Sequence, residues 1–392
     1  MNQQTSSRPT TENSVGIVTP KSVDIKDPLK LACGQVLSEY HLVYETYGEL
    51  NSDNSNAILV CHALSGNHHA AGYHTDNPDE KPGWWDNCIG PGKPIDTNKF
   101  YVVVPNNIGG CHGTTGPSSI NPETGKIWGP DFPPLRFRDW VDSQVQLSDL
   151  LGIQTWAAIV GGSLGGMQAM RWSLEYPDRL KHCLVIASAM NLSPQNIAFN
   201  EMARQAILAD PDFCEGRYLE QSKAPNTGLA LARMIGHVTY LSQSQLEERF
   251  GRELRAGSFE RGNDNPIQFE IESYLKYKGD QFAEEFDANT YMVITRMLDV
   301  FDLAREYNHD PVEAFSLATC RYFVASFSTD WRFSPDRSED IVGALIGAKK
   351  QVSYLNIETD RGHDGFLSDI PRYIEGLGIY LSKVAGEIED AS

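Results

Sequence analysis

Six short runs in this chain are apolar at successive positions, not at alternate ones: AILVCHAL (57–64), FYVVVPNN (100–107), TWAAIVGGS (155–163), LKHCLVIAS (180–188), YFVASFSTD (322–330) and QVSYLNIET (351–359). A strand that is apolar on both sides must be covered on both sides. A parallel sheet between two layers of helices does this; a sheet with one face in water does not. Helical patterns lie between the runs. Residues 136–152 carry Phe137, Trp140, Val141, Val145, Leu147, Leu150 and Leu151 at helical spacing, and LGGMQAMRWSLEYP (164–177) is stopped by Pro177. The alternation predicts an α/β fold with a mostly parallel sheet, helices on both faces and right-handed crossovers.

Residues 191–310 break the rhythm. Ser193-Pro194 is a helix start, with a capping Ser and Pro in the first turn. NIAFNEMARQAIL, LALARMIGHVTYL, QSQLEERF and NTYMVITRMLDVFDLA all have helical spacing, and no convincing strand interrupts them. The predicted organisation is a disordered N-terminal tail (1–24), a core domain made of 25–190 and 311–392, and a helical lid (191–310) inserted between two strands of the sheet.

Composition narrows the function. At 41% hydrophobic and 22% charged over 392 residues the chain can bury a large core. A net charge of −19 argues against nucleic acid and anionic membranes as partners, though a local Arg cluster can still hold a small anion. No apolar stretch is long enough to span a bilayer, and MNQQTSSRPTTENS lacks the apolar segment of a secretory signal. Seven scattered cysteines with no CxxC suit a reducing compartment. The expectation is a cytoplasmic protein.

GGSLGG (161–166) joins an apolar run to a helix and contains G-x-S-x-G as Gly161, Ser163 and Gly165. Glycines there permit a sharp turn that exposes the Ser163 hydroxyl, and the helix start offers free N–H groups to a developing oxyanion. A serine nucleophile needs a base and an acid that orients it. Asp330 ends a late run, and His363 in TDRGHDGF is the only one of ten histidines after it. The predicted triad is Ser163, Asp330 and His363. The peptide N–H groups of Leu64, in CHALSGNHHAAG (61–72), and of Leu164 are the expected oxyanion donors. His62, His68, His69 and His74 crowd one segment, but no carboxylate or cysteine spacing completes a known metal site, so packing of the loop is expected and no metal.

The triad gives acyl transfer without naming the acceptor. YETYGELN (44–51), HALSGNHHAAG (62–72), PNNIGGCHGTTGPSS (105–119), GGSLGGMQAMRW (161–172), ARMIGHVTY (232–240), FDANTYMVITRMLD (286–299) and RGHDGF (361–366) resemble the homoserine O-acyltransferases of the α/β-hydrolase fold. Leu164 stands where Met is common in that family, which leaves the backbone donor intact. The resemblance implies a ping-pong reaction, with an acyl-CoA acylating Ser163 and L-homoserine accepting the group, and with His363 as base in both halves. It implies that Arg233 on the lid and Asp364 beside the base bind the amino-acid acceptor, that no cofactor is needed beyond the acyl-CoA co-substrate, and that a homodimer forms through lid helices. The product would feed methionine biosynthesis.

Arg332, two residues past Asp330, is the remaining puzzle. A guanidinium facing the acyl pocket has nothing to pair with in an acetyl group but can take the terminal carboxylate of a succinyl group. In the family, acetyl-transferring members carry an uncharged residue such as Leu here and succinyl-transferring members carry Arg, so the resemblance implies succinyl-CoA as donor. The alternative is that Arg332 turns outward to Asp336 or Glu339. Acetyl-CoA as donor, L-serine as acceptor, a simple serine esterase and a binding module with a vestigial triad are the competing functions.

Overall fold

The computed structural model describes residues 13–255 and 269–390. Its centre is an eight-stranded sheet. In chain order the strands are β1 (Lys21–Ile25), β2 (Tyr40–Tyr47), β3 (Ala57–Cys61), β4 (Tyr101–Pro105), β5 (Trp156–Gly162), β6 (Leu180–Ile186), β7 (Arg321–Phe327) and β8 (Val352–Ile357). They lie side by side as β1-β2-β4-β3-β5-β6-β7-β8. The β1–β2 and β2–β4 pairings are antiparallel, and every pairing from β4 to β8 is parallel. The parallel half coincides with the runs that lack polar alternation. Alternate residues of β5 enter separate clusters on the two faces. Ile159 joins Trp140 and Met170 on one side, while Ala158 and Val160 join Tyr373 and Leu381 on the other. Strands β3 to β7 thus remove nearly all of both faces from water, and their backbone groups find partners in the ladder, whereas β8 at the edge leaves Ser353 and Asn356 exposed.

Helices α1 (Phe137–Leu150) and α2 (Leu164–Glu175) precede and follow β5. Between β6 and β7 come α3 (Pro194–Leu208), α4 (Asn226–Tyr240), α5 (Gln243–Phe250), α6 (Glu270–Glu285), α7 (Ala288–Asp299) and the short α8 (Pro311–Ser316). Ser193 caps α3, accepting from the Asn196 N–H at 3.2 Å. Helix α4 packs against both α3 and α6. Where the chain leaves and re-enters the sheet region it is clasped: Asn191 forms an antiparallel bridge with Asp302, and the Leu303 N–H donates to the Met190 carbonyl at 2.9 Å. Helices α9 (Pro335–Gly347) and α10 (Pro371–Glu389) follow β7 and β8.

The structure differs from the sequence reading in four places. The tail expected over residues 1–24 lies partly outside the described residues, but from residue 13 the chain is built into the fold. Ile17 bridges to Tyr73, Val15 and Val18 pack on the core, and β1 pairs with β2. Strand β2 was not predicted, nor was α6. NTYMVITRMLDVFDLA is helical only to Asp299. The runs at 180–188 and 322–330 extend two and three residues past β6 and β7, because those residues have left the ladder to form loops beside the site. Among the described residues no helix is long and apolar enough to cross a membrane. All seven cysteines are unpaired.

Candidate active site

Strand β5 ends at Gly162, and the next residue turns straight into α2. Ser163 takes φ 57° and ψ −122°, a conformation that costs an L-residue about 1–3 kcal/mol. The surroundings enforce it. A Cβ on Gly161 would land in the Gly165 backbone, and one on Gly165 would land in the Cys61 carbonyl. The Ser163 N–H donates to the Ile186 carbonyl at 2.8 Å, and the Ser188 hydroxyl donates to the Ser163 carbonyl at 2.7 Å. Strand, helix and both neighbouring strands thus meet at this one residue with no room to relax.

The Ser163 hydroxyl lies 2.8 Å from His363 Nε2, and His363 Nδ1 lies 2.7 Å from Asp330 Oδ2. A buried carboxylate can only accept, so Nδ1 carries the ring proton and Nε2 is free to take one from the serine. Asp330 and His363 are 2% and 3% exposed, so the pair is shielded from competing water. The other Asp330 oxygen accepts from the N–H groups of Arg332 and Phe333, each at 2.9 Å, which fixes the carboxylate and shapes the loop after β7.

The loop after β3 carries Leu64, which lines the same cavity as Ser163 and Leu164. His62 holds this loop. Its Nδ1–H donates to the Ala63 carbonyl at 2.8 Å and its Nε2 accepts from the Asn107 N–H at 3.2 Å. Burial pulls its pKa down to about 4, so the ring is neutral and can serve as both donor and acceptor.

The cavity over Ser163 holds about 100 Å³. Its walls include Ser65, Arg233, Tyr240, Leu298, Arg332, His363, Asp364 and Phe366. Arg233 NH1 donates to Ser65 Oγ at 3.2 Å, and its guanidinium lies over the Phe282 ring at 4.7 Å. The Asp364 carboxyl is pushed above its ordinary range by burial, against the opposing pull of the His363 and Arg233 charges. Among the described residues neither Arg233 nor Asp364 forms an ion pair. Arg332 points inward to this cavity and makes no ion pair with Asp336 or Glu339. One cavity thus brings together a hydrogen-bonded Ser–His–Asp series, two guanidinium groups and a carboxyl, with no ion pair among the described residues at Arg233, Arg332 or Asp364.

A model of the alpha/beta hydrolase fold matches residues 56–369. A homoserine O-succinyltransferase of Teredinibacter turnerae is 62% identical over 373 residues, covering 95% of this chain and 97% of the relative. One of Cellvibrio japonicus is 62% identical over 372 residues, covering 95% and 98%. The chain belongs to the homoserine O-acyltransferase family of the α/β-hydrolase fold. Among solved structures, homoserine O-acetyltransferase from Bacillus anthracis matches with a TM-score of 0.85 and 29% identity, covering 93% of this chain and 98% of that one. Esterase E22 matches with a TM-score of 0.84 and 27% identity, covering 93% and 100%.

The fold around the site also contains polar groups that sequence reasoning missed. Glu45 of β2 is wholly buried beneath the histidine-rich loop. It accepts from Tyr47 (2.7 Å), His69 (3.1 Å) and His74 (2.6 Å). Burial pushes the Glu45 carboxyl up, but these hydrogen bonds outweigh burial and hold it below the ordinary value. Glu45, His68 and His74 each bring one ligand atom within 4.8 Å of the others, so the carboxylate that spacing failed to reveal is present. Its oxygens are already engaged, and the Tyr47 hydroxyl in turn accepts from the Ala70 and Ala71 N–H groups. The arrangement is a hydrogen-bonded brace for the loop that also carries Leu64. Thr239, Tyr240 and Asn200, which surround Arg332, were missed as well. Nothing in helical spacing distinguishes them from their neighbours.

Proposed function

We infer that this chain moves a succinyl group from succinyl-CoA to the hydroxyl of L-homoserine, giving O-succinyl-L-homoserine for methionine biosynthesis. The observation that carries the choice of donor is the Arg332 guanidinium on the wall of the Ser163 cavity, with no ion-pair partner among the described residues. The names of the relatives at 62% identity support the same reading. In the first half-reaction Ser163 Oγ attacks the thioester carbonyl while His363 Nε2 takes its proton. The oxyanion is met by the N–H groups of Leu64 and Leu164, and the CoA sulfur leaves with the proton from His363. In the second, the homoserine hydroxyl attacks the acyl-serine carbonyl, His363 takes that proton, and Ser163 Oγ recovers it on leaving. Arg233 takes the acceptor's carboxylate and Asp364 its ammonium. Arg332 takes the distal carboxylate of the succinyl group. No step draws on a metal or cofactor.

Helices α3–α7 act as a lid that walls the acyl-enzyme from water and favours transfer over hydrolysis. The protein works in the cytoplasm as a homodimer joined through these helices. The test of the donor is kcat/KM with succinyl-CoA and acetyl-CoA. Wild type prefers succinyl-CoA by roughly two orders of magnitude or more, the scale of one desolvated charge contact. Arg332→Leu collapses that preference. Equal use of both donors by wild type, or an unchanged preference in the variant, would take Arg332 out of donor selection and overturn the succinyl assignment.

A further inference from the structure

The Arg332 guanidinium is held entirely by neutral groups. NH1 donates to Thr239 Oγ1 at 2.9 Å, NH2 reaches Asn200 Oδ1 at 3.5 Å, and the Tyr240 ring centre lies 5.4 Å from Cζ. Both acceptors are buried, with exposures of 0% for Thr239 and 2% for Asn200, and each is turned by a third group. The Thr239 hydroxyl gives its own hydrogen to the Gly236 carbonyl at 2.7 Å, leaving its lone pairs for Arg332. Asn200 Nδ2 donates to Asp299 Oδ1 at 2.8 Å. A carboxylate only accepts, so the amide cannot flip, and its oxygen must face Arg332. Asp299 itself is ion-paired with Arg204 NH2 at 2.6 Å, and Arg204 is 1% exposed.

The Asp299 carboxylate therefore stands one residue behind the Asn200 amide that touches Arg332. It is already matched by another arginine. Had Asp299 or an acid at position 200 touched Arg332 directly, the guanidinium would be neutralised before any substrate arrived. A buried pair of that kind is not given up cheaply. Had nothing touched it, the long side chain would sample many rotamers and its charge would have no fixed place. The backbone of Arg332 is pinned too, by Asp330 Oδ1 at its N–H (2.9 Å) and by Asn196 Nδ2 at its carbonyl (2.8 Å).

We propose that Asn200, oriented by Asp299, is a positioning residue for donor selectivity: it fixes the Arg332 guanidinium at one distance from Ser163 while leaving its charge free for the terminal carboxylate of a dicarboxylic acyl thioester. The proposal rests on the succinyl reading above and extends it. A fixed guanidinium selects a chain length as well as a charge, so succinyl is distinguished from the one-carbon-longer glutaryl group, not only from acetyl.

The test is a set of kcat/KM ratios, which do not depend on how much of each preparation is folded. Asn200→Asp places a carboxylate against Arg332, and the succinyl-to-acetyl ratio falls about 30-fold or more, on the scale of losing a charged contact. Asn200→Ala removes the fixing contact but leaves the charge. Its succinyl-to-glutaryl ratio falls about tenfold, while a preference for succinyl over acetyl remains. Should Asn200→Asp fail to fold, the Asn200→Ala ratio decides. If Arg332→Leu loses the succinyl preference while both Asn200 variants keep the wild-type ratios, the positioning role is wrong and the donor assignment stands. If Arg332→Leu keeps the wild-type succinyl-to-acetyl ratio, the donor assignment fails and this inference fails with it.

Discussion

Asp364 shares a cavity wall with Arg233, yet the two form no ion pair, and burial raises the carboxyl's pKa. The sign of the linkage follows. A carboxyl that holds its proton more tightly in the folded state favours folding at low pH, and that contribution is lost as pH rises through the raised value. At neutral pH Asp364 therefore costs stability, as groups kept for binding often do. Asp364→Asn should raise the melting temperature at pH 7.5. It should also lower kcat/KM for homoserine by about a hundredfold or more, since the proposed charged partner of the acceptor's ammonium is gone. Acylation of Ser163 by the donor alone, followed by rapid mixing, should stay near the wild-type rate. A variant equally slow in acylation would show that Asp364 supports His363 instead of binding the acceptor. The residues that were legible in sequence are those at strand ends: Ser163, Asp330 and His363 each follow an apolar run within a few positions. Asn200, Thr239 and Glu45 were not legible. A polar residue inside a helix or an edge-side strand reads as a solvated position until packing shows what lies against it.

At the scale of elements, the junction of β5 and α2 is the least tolerant. Gly165→Ala would drive a methyl group into the Cys61 carbonyl at the end of β3, where both partners are backbone. Neither can rotate away, so a loss of about 2 kcal/mol or more in unfolding free energy is expected, in the upper part of the overpacking range. Denaturant midpoints would show it, and a midpoint equal to wild type would mean the strand–helix approach is looser than described. The elements read correctly in advance were those whose environment is uniform along their length. Strand β5 is buried at every position. Strand β2 was missed because it alternates buried and half-buried residues, with Tyr, His, Glu and Thr among them, in the antiparallel half of the sheet. Helix α6, EIESYLKYKGDQFAEE, was missed because it is polar on most of its surface and buries only Gly279 and Phe282. Its place comes from contact with α4, which no local pattern encodes.

For the whole molecule, buried histidines weigh against acid stability, and three of them carry the largest shifts. Burial pulls His62 and His68 down to about 4 and His237 to about 3, with neighbouring positive charges adding to the effect at His237. The unfolded chain takes up these protons near the ordinary value of about 6.5, while the folded chain refuses them until much lower pH. The stability they permit is therefore complete above about pH 6.5 and is lost as pH falls through the window down to about 4. The slope is about 1.4 kcal/mol per pH unit for each such group. Urea midpoints between pH 7.5 and 5 should fall steeply, and His237→Gln should flatten the curve. A profile that is level from 7.5 to 5 would mean the histidines are charged in the fold. The clasp at Met190–Leu303 and Asn191–Asp302 has a consequence of another kind. Ser163, Asp330 and His363, the proposed reacting groups, lie after the ends of strands and outside the clasped stretch. Arg233, Tyr240, Thr239, Asn200 and Leu298 all lie within it. One contiguous length of chain thus carries much of the cavity wall between two joined ends, so changes within it can reshape that part of the cavity, while Arg332 and Asp364, outside it, stay tied to the strand ends.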